Sequence, residues 1–405
     1  MTPTTRRQAE ALDAKDPLRD LRDAFDLPAD MIYLDGNSLG PPPRCALQRL
    51  ENVAQREWKD GLIRSWNDAR WIDLPKRCGA KIARLIGAAE NDVIVCDTVS
   101  INIFKLAAAL LARRQGALAC EADEFPTDGY ILQGLSRLAG TPLQHLPAGA
   151  PEDAFKSGAG LLVKSAVHYR TAAVADIAAW ERAAAKTGAA IIWDLSHATG
   201  LIDLDLENAG ARYAVGCGYK FLNGGPGAPA FVYAAEKEAA ELLQPLCGWM
   251  GHAAPFDFAN DYRPAAGVNR FACGTPPILS LSALDAALDI FDGVDMAAVE
   301  NKARALGDLF LARASAFGLE SPSPGPGERR GGHVALQLCE GYAVIQALIA
   351  QGVIGDFRAP DLMRFGFSPL YIRFADLWDA AEKLKTILDT EEWRNPAYGR
   401  KGKVT

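Results

Sequence analysis

Six short apolar runs pass through the middle of the chain, at Val93–Cys96, Ala117–Cys120, Leu161–Lys164, Ala190–Trp193, Tyr213–Gly216 and Ala230–Tyr233. Their length and near-continuous apolar character are those of strands buried on both faces. Ile101–Arg113 and Ala175–Lys186, which lie between them, have the helical period. Alternation of this kind predicts an α/β fold, with a mostly parallel central sheet and helices on both faces. Such a sheet binds ligands at the carboxyl ends of its strands, so the residues just after each run are the first place to look for chemistry.

The pattern changes near Leu279. Leu281–Phe291 and Ala297–Phe317 read as long helices, Gly332–Leu338 as a strand, and Tyr342–Gln351 and Asp376–Leu388 as further helices. Ser321–Glu328, rich in Gly and Pro, is a loop. Together these predict a smaller α+β lobe. The expected division is an N-terminal segment, 1–50, packing with the small lobe, a large domain over 51–285, and the small domain over 286–405. Met31–Leu34 fits either lobe.

With 405 residues, 49% of them hydrophobic, the chain can bury a large core. A net charge of −7 without a basic run argues against a nucleic-acid partner. No apolar stretch reaches the ~20 residues needed to span a bilayer, and the polar N-terminus lacks the apolar centre of a secretory signal. The eight cysteines form no CxxC pair. Neither a zinc site nor a disulfide framework is expected, no metal is expected, and reduced thiols fit a cytoplasmic enzyme. The basic tail, Arg394–Thr405, is expected to fray.

Asp194 closes one predicted strand, and Gly218-Tyr219-Lys220 follows the next. Lysine is costly to bury unless it is paired or reactive. A lysine that forms an imine with pyridoxal 5'-phosphate (PLP) needs a carboxylate on a neighbouring strand to hold the pyridinium nitrogen. Taken alone, Lys220 is a loop lysine and Asp194 a turn residue. The turn Asn223-Gly-Gly-Pro-Gly227 and the hydroxyl of Tyr219 favour the cofactor reading. Asp97-Thr-Val-Ser100 precedes a helix, and a helix N-terminus with a hydroxyl is an anion site, although a simple helix cap has the same geometry. Phe125, after another strand, is suited either to the core or to stacking on a pyridine ring. His197 is either an ordinary buried histidine or a neighbour of that ring.

Several segments together resemble the kynureninase family, whose members are PLP enzymes of the aspartate-aminotransferase fold (fold type I). They are Tyr33-Leu-Asp-Gly-Asn-Ser-Leu-Gly40, Phe125-Pro-Thr-Asp128, Asp194-Leu-Ser-His197, Gly218-Tyr-Lys-Phe-Leu-Asn223, Gly248-Trp-Met-Gly-His252 and Arg364-Phe-Gly-Phe-Ser-Pro-Leu-Tyr371. The resemblance implies PLP-dependent hydrolysis of L-kynurenine to anthranilate and L-alanine, in tryptophan breakdown or the supply of NAD precursors. It implies that Lys220 binds the cofactor and shuttles protons, that Asp194 pairs with the ring nitrogen, and that His197 and Asp128 lie near it. Phe125 stacks on the ring. Val99, Ser100 and Tyr219 contact the phosphate, Tyr219 also serving in acid–base steps, and Ser165 is carried over as a cofactor contact. Trp249 and Thr275 reach the phosphate from the second subunit of a homodimer.

For the substrate, the same resemblance implies Arg364 as the carboxylate clamp, with Arg373 as fallback. Asn37, Ser38, His252 and Trp66 line the aromatic end. Gly61-Leu62 stand where animal members carry histidine, and Thr275 where they carry asparagine. Kynurenine is therefore expected to be preferred over its 3-hydroxy form. The competing readings are a cysteine desulfurase, an aminotransferase and a non-catalytic scaffold of the same fold. A desulfurase needs a presented cysteine, and Cys339, after a strand, is expected to be buried. A scaffold commonly loses the lysine or the acid, and both are present. A nicotinamide dehydrogenase is disfavoured because no GxGxxG follows the first strand.

Overall fold

The computed structural model describes residues 2–400 and 402. Seven strands form the main sheet, in the order Val93–Val95, Phe231–Ala234, Tyr213–Gly216, Ala190–Asp194, Ala159–Ser165, Ala117–Glu121, Leu143–Leu146. Phe231–Ala234 runs antiparallel to both neighbours, and every other pairing is parallel. The edge strand Leu143–Leu146 has no counterpart in the sequence reading. Its residues Leu-Gln-His-Leu are largely half-exposed, so the continuous apolar signal of a central strand is missing there.

Side chains along each strand alternate between two cores. Ile191 and Trp193 enter one hydrophobic cluster, while Ala190 and Ile192 enter the other on the opposite face. The helices Val99–Leu111 and Pro126–Ala139 cover the second face. The first cluster continues without a break into the small lobe through Phe310, Phe365 and Phe367. That lobe carries an antiparallel sheet ordered Asp356–Arg358, Leu362–Gly366, His333–Gln337. The helices Met296–Ala316, Gly341–Ala350 and Phe374–Asp389 pack around it.

The N-terminal segment touches both lobes. Asp13 accepts hydrogen bonds from the Phe374 and Ala375 amides, at 2.7 and 3.0 Å, capping the helix Phe374–Asp389. Ile32–Tyr33 pairs in parallel with Val353–Ile354, which places Met31–Leu34 with the small lobe. The helix Arg44–Asn52 packs on Ile278–Leu288. Between these anchors, residues 35–40 cross to the main sheet. The Gly40 amide donates to the Tyr219 carbonyl at 2.8 Å, and a Cβ on Gly40 would stand 2.2 Å from the Lys220 carbonyl oxygen. Glycine is what permits this approach.

No helix among the described residues is long and apolar enough to cross a membrane. The tail does not fray over its first half. Tyr342 Oη donates to the Arg400 carbonyl at 3.0 Å and accepts from the Gly402 amide at 2.9 Å. Lys401 and 403–405, the rest of that tail, lie outside the described residues. The eight cysteines are free thiols.

Candidate active site

All six same-direction strands end at one edge of the main sheet, and a cavity of ≈ 670 Å³ opens there. Asp97, Phe125, Ser165, Asp194 and Lys220, each at or just past the end of a strand, line it. At one end stands the helix Val99–Leu111. The Thr98 hydroxyl caps it by accepting from the Ile101 amide at 3.4 Å, and the Asn102 amide bonds the Thr98 carbonyl. The sequence placed the start of this helix two residues later. With the start at Val99, the amides of Val99 and Ser100 point out of its first turn, where the helix dipole favours an anion.

At the other end lie three carboxylates. Asp194 accepts from the Ser196 amide at 2.8 Å and from its hydroxyl at 2.5 Å. Burial raises its pKa, while Lys220 and the Ser196 bonds pull it back. Asp128, in the first turn of Pro126–Ala139, is held well above the carboxylate range by burial, then by Asp194 and Glu124. Its Oδ2 is buried without a partner among the described residues. Glu124 accepts from the Ser165 hydroxyl at 2.6 Å and the Ser165 amide at 2.8 Å. Nothing in the sequence gives Glu124 a role; its place beside Phe125 is the available signal.

Lys220 Nζ lies 3.2 Å from His197 Nε2, which is also 3.1 Å from the Asn37 carbonyl oxygen. Burial first, then Lys220 and His333, hold His197 well below its usual pKa. Tyr219 is raised above the usual phenol value by burial, Cys217 and Asp194, so its hydroxyl stays protonated and donates. Phe125 is 38% exposed and meets Tyr169 edge-on, ring centroids 5.4 Å apart.

Beyond Lys220 the small lobe supplies Arg364, 2% exposed. Its Nε donates to Asp356 Oδ1 at 2.8 Å and its Nη2 to Asp356 Oδ2, a fork on one carboxylate. Nη1 donates to the Tyr169 carbonyl at 2.5 Å, and Nη2 approaches Ser38 Oγ at 3.4 Å. Ser38 donates to Asp356 at 2.8 Å. Asp356 was not singled out from sequence, because nothing local marks it.

Of the residues singled out in sequence, the cavity gathers Val99, Ser100, Phe125, Asp128, Ser165, Asp194, His197, Tyr219 and Lys220. Asn37 adjoins it through His197, and Ser38 and Arg364 stand behind that, Arg364 bonding Tyr169, whose ring packs on the cavity-lining Phe125. Four others stand apart from it in this chain. Trp249, 40% exposed, packs edge-on against Phe256 at 5.6 Å. Thr275 lies exposed two residues before Pro277, a cavity-lining residue. His252 is satisfied locally, by the Ala254 amide at 3.0 Å and the Asp261 carbonyl at 3.3 Å. Trp66 packs on Trp71 at 6.0 Å. The fallback Arg373 is a helix cap, occupied by Asp376 at 2.6 Å. Cys339 is exposed rather than buried as expected, since the strand ends at Gln337.

Comparison with known proteins adds to this geometry. Residues 299–384 match the model of the kynureninase C-terminal domain. Two similar relatives are named kynureninase. One from Burkholderia mallei is 46% identical, covering 99% of this chain and all of its own; one from Pseudomonas fluorescens is 43% identical with the same coverage. Among solved structures, the apo cysteine desulfurase of Thermococcus onnurineus superposes with a TM-score of 0.79 at 16% identity, covering 92% of this chain and 98% of that one. The cystine C–S lyase C-DES, in complex with cysteine persulfide, gives 0.79 at 16% identity, covering 88% and 98%. These two likenesses show the fold, that of PLP enzymes of fold type I. The two sequence relatives, aligned end to end, show more: the chain belongs to the kynureninase family.

Proposed function

We propose that this chain is a kynureninase, a hydrolase that cleaves the Cβ–Cγ bond of L-kynurenine to anthranilate and L-alanine with PLP. The observation that carries the reading is one cavity faced by Lys220, by the buried Asp194 and by an open helix N-terminus. The donor set fits the cofactor. The unpartnered Asp128 Oδ2 beside Asp194 suits a protonated ring nitrogen, and the Val99 and Ser100 amides suit a phosphate. When bound, PLP supplies a ring that withdraws electrons from the substrate carbon.

The chain's own residues do the rest. Lys220 anchors the cofactor and moves the substrate's α-proton. Asp194 holds the ring nitrogen protonated, and Phe125 covers one face of the ring. Tyr219 donates to the phosphate and carries protons near the substrate carbonyl, help of a kind worth roughly 10²–10⁴-fold. Arg364, its Nε and Nη2 held by Asp356, is the proposed clamp for the substrate carboxylate, with Nη1 exchanging the Tyr169 carbonyl for it. Asn37, Ser38, His252 and Trp66 are proposed for the aromatic end, and the unhydroxylated substrate is the preferred one.

Trp249 and Thr275 lie outside their own chain's cavity, which supports a homodimer whose second subunit lends them. Exposed Trp58, Leu62, Ile63, Phe256 and Phe258 are apolar surface of the kind such a contact covers. The proposed division is a large domain, 51–285, a small one, 286–405, and an N-terminal segment, 1–50, tying the two together. A cytoplasmic location goes with the free thiols.

The test is incubation of the PLP-loaded protein with L-kynurenine, followed by anthranilate fluorescence. Fluorescence with one alanine per turnover supports the reading. A keto acid without anthranilate marks an aminotransferase instead, and no reaction with a colourless protein marks a scaffold. Sedimentation tests the dimer.

A further inference from the structure

His333 opens the edge strand His333–Gln337 of the small lobe's sheet and is fully buried. Neither of its ring nitrogens has a hydrogen-bond partner among the described residues. A neutral imidazole carries one donor and one acceptor, and buried polar groups left unmatched are rare enough to need a reason. The ring lies 5.6 Å, centroid to centroid, from that of His197, tilted by 52°.

A second unmatched group sits beside it. His333 pairs directly with Gly366 across the antiparallel ladder, so its side chain and the missing side chain of Gly366 share one face. The amide of Asn37 fills that vacant position, its Oδ1 only 1.8 Å from where a Gly366 Cβ would stand. Asn37 Oδ1 and Nδ2 are also buried without partners among the described residues. The carbonyl of the same Asn37 is what meets His197 Nε2. Two orphaned polar groups thus lie on one face of the sheet, beside the histidine that touches Lys220.

The charges around them give this arrangement a purpose. His333 faces Arg364, Asp356, His168, Lys220 and His197, and His197 faces Lys220, His333 and Arg364. Burial and these cations keep both imidazoles neutral. His197 Nε2 also meets two groups with opposite demands. The Asn37 carbonyl requires a proton there, whereas a protonated Lys220 amine requires a lone pair. The tautomer of His197 therefore sets what Lys220 can do.

We propose that His333 is a positioning residue which, with the Asn37 amide, fixes the tautomer of His197 and so the hydrogen bonding of the Lys220 amine. It rests on the reading of Lys220 as the catalytic lysine. His333 touches neither substrate nor cofactor in this assignment and acts through His197. It also lies on the strand beside Arg364, so the residue that binds the carboxylate and the residue that moves the proton share one support.

The experiment compares PLP-loaded His333→Leu and His333→Gln with the wild type by thermal melting, by pH titration of the visible absorbance band, and by kcat and KM. Leucine fills the space without polar atoms. His333→Leu is expected to melt at or above the wild-type temperature and to bind PLP. Its band should titrate with a midpoint displaced by about one pH unit, and kcat should fall roughly tenfold with KM unchanged. His333→Gln, which restores a donor and an acceptor, should recover most of kcat. A His333→Leu enzyme with wild-type kcat and titration overturns the proposal. So does a His333→Gln enzyme no better than His333→Leu, or a pair that both unfold early, since His333 would then be packing. Lys220→Ala separates the two readings: if it keeps turnover, the catalytic site itself is misassigned, whatever His333 does.

Discussion

The two halves of the proposed active site are built differently. On the main sheet, each functional residue follows its own strand within a few positions, and the strand alone aims it at the cavity. On the small-lobe side, Ser38, Asp356 and Arg364 come from separated stretches of chain and hold one another through buried polar contacts, with Asn37 and His333 buried beside them. The first half can lose a reactive group without losing its frame. In the second half the reactive group is part of the frame.

The largest expected effects separate these cases. Lys220→Ala should lower turnover by at least ~10³-fold and abolish the visible band, while leaving the melting temperature of the apoprotein near wild type. Arg364→Leu should act on both properties. It strips Asp356 of its fork and leaves the buried carboxylate with Arg358 as its remaining cationic partner, a loss of about 3 kcal/mol in stability, with KM for kynurenine rising sharply. Denaturant unfolding of both apoproteins makes the comparison. Equal stability of the two variants would erase the distinction drawn between the halves.

The same contrast governs what could be read from the sequence. Ala190–Asp194 and Tyr213–Gly216 were legible as strands because burial on both faces leaves a continuous apolar run. Asp194 and Lys220 were legible because one closes such a run and the other follows one by four residues. Leu143–Leu146, at the sheet edge and half-exposed, left no such trace. Asp356 and His333 left none either. Each is a single polar residue whose meaning comes only from a partner: Arg364 across the ladder from Asp356, and His197 more than a hundred residues before His333. Cys339 is exposed for a related reason, since the strand before it stops at Gln337, one residue short of the expected Leu338. Short-range pattern shows an element and its ends; long-range polar pairing has no short-range signature.

A smaller effect probes the frame itself. Asp35 lies beside Asp356, and its carboxyl is pushed up to about 7 by burial and then by the Asp356 charge. Asp356 goes the other way, held below its usual value chiefly by Arg364 against the cost of burial. The folded chain therefore keeps a proton on Asp35 that the unfolded chain releases from about pH 4 upward. Wherever the folded state binds more protons, stability falls as pH rises, so Asp35 costs stability progressively between about pH 4 and 7. Asp356 contributes stability above the ordinary carboxylate range and loses it on acidification. Asp35→Asn should leave the melting temperature near wild type at pH 4 and raise it at pH 7.5, by the equivalent of on the order of 2 kcal/mol. An identical pH profile for wild type and variant would mean that Asp35 is not carrying this proton.

The smallest effect belongs to the main-sheet half, where one residue both builds the frame and shapes the site. Thr98 caps the helix whose first amides are proposed to hold the phosphate. Thr98→Ala removes the oxygen that accepts from the Ile101 amide, a loss of about 1 kcal/mol. The helix continues for 13 residues on an apolar face, so the fold should survive. Its first turn should loosen, and PLP affinity should weaken by roughly tenfold or less, while kcat at saturating PLP stays near wild type. Thr98→Ser keeps the oxygen and should behave as wild type in both melting and PLP titration. If Thr98→Ala instead lowered kcat at saturating cofactor, the cap would be acting on the chemistry, and the main-sheet half would be as interdependent as the small-lobe half.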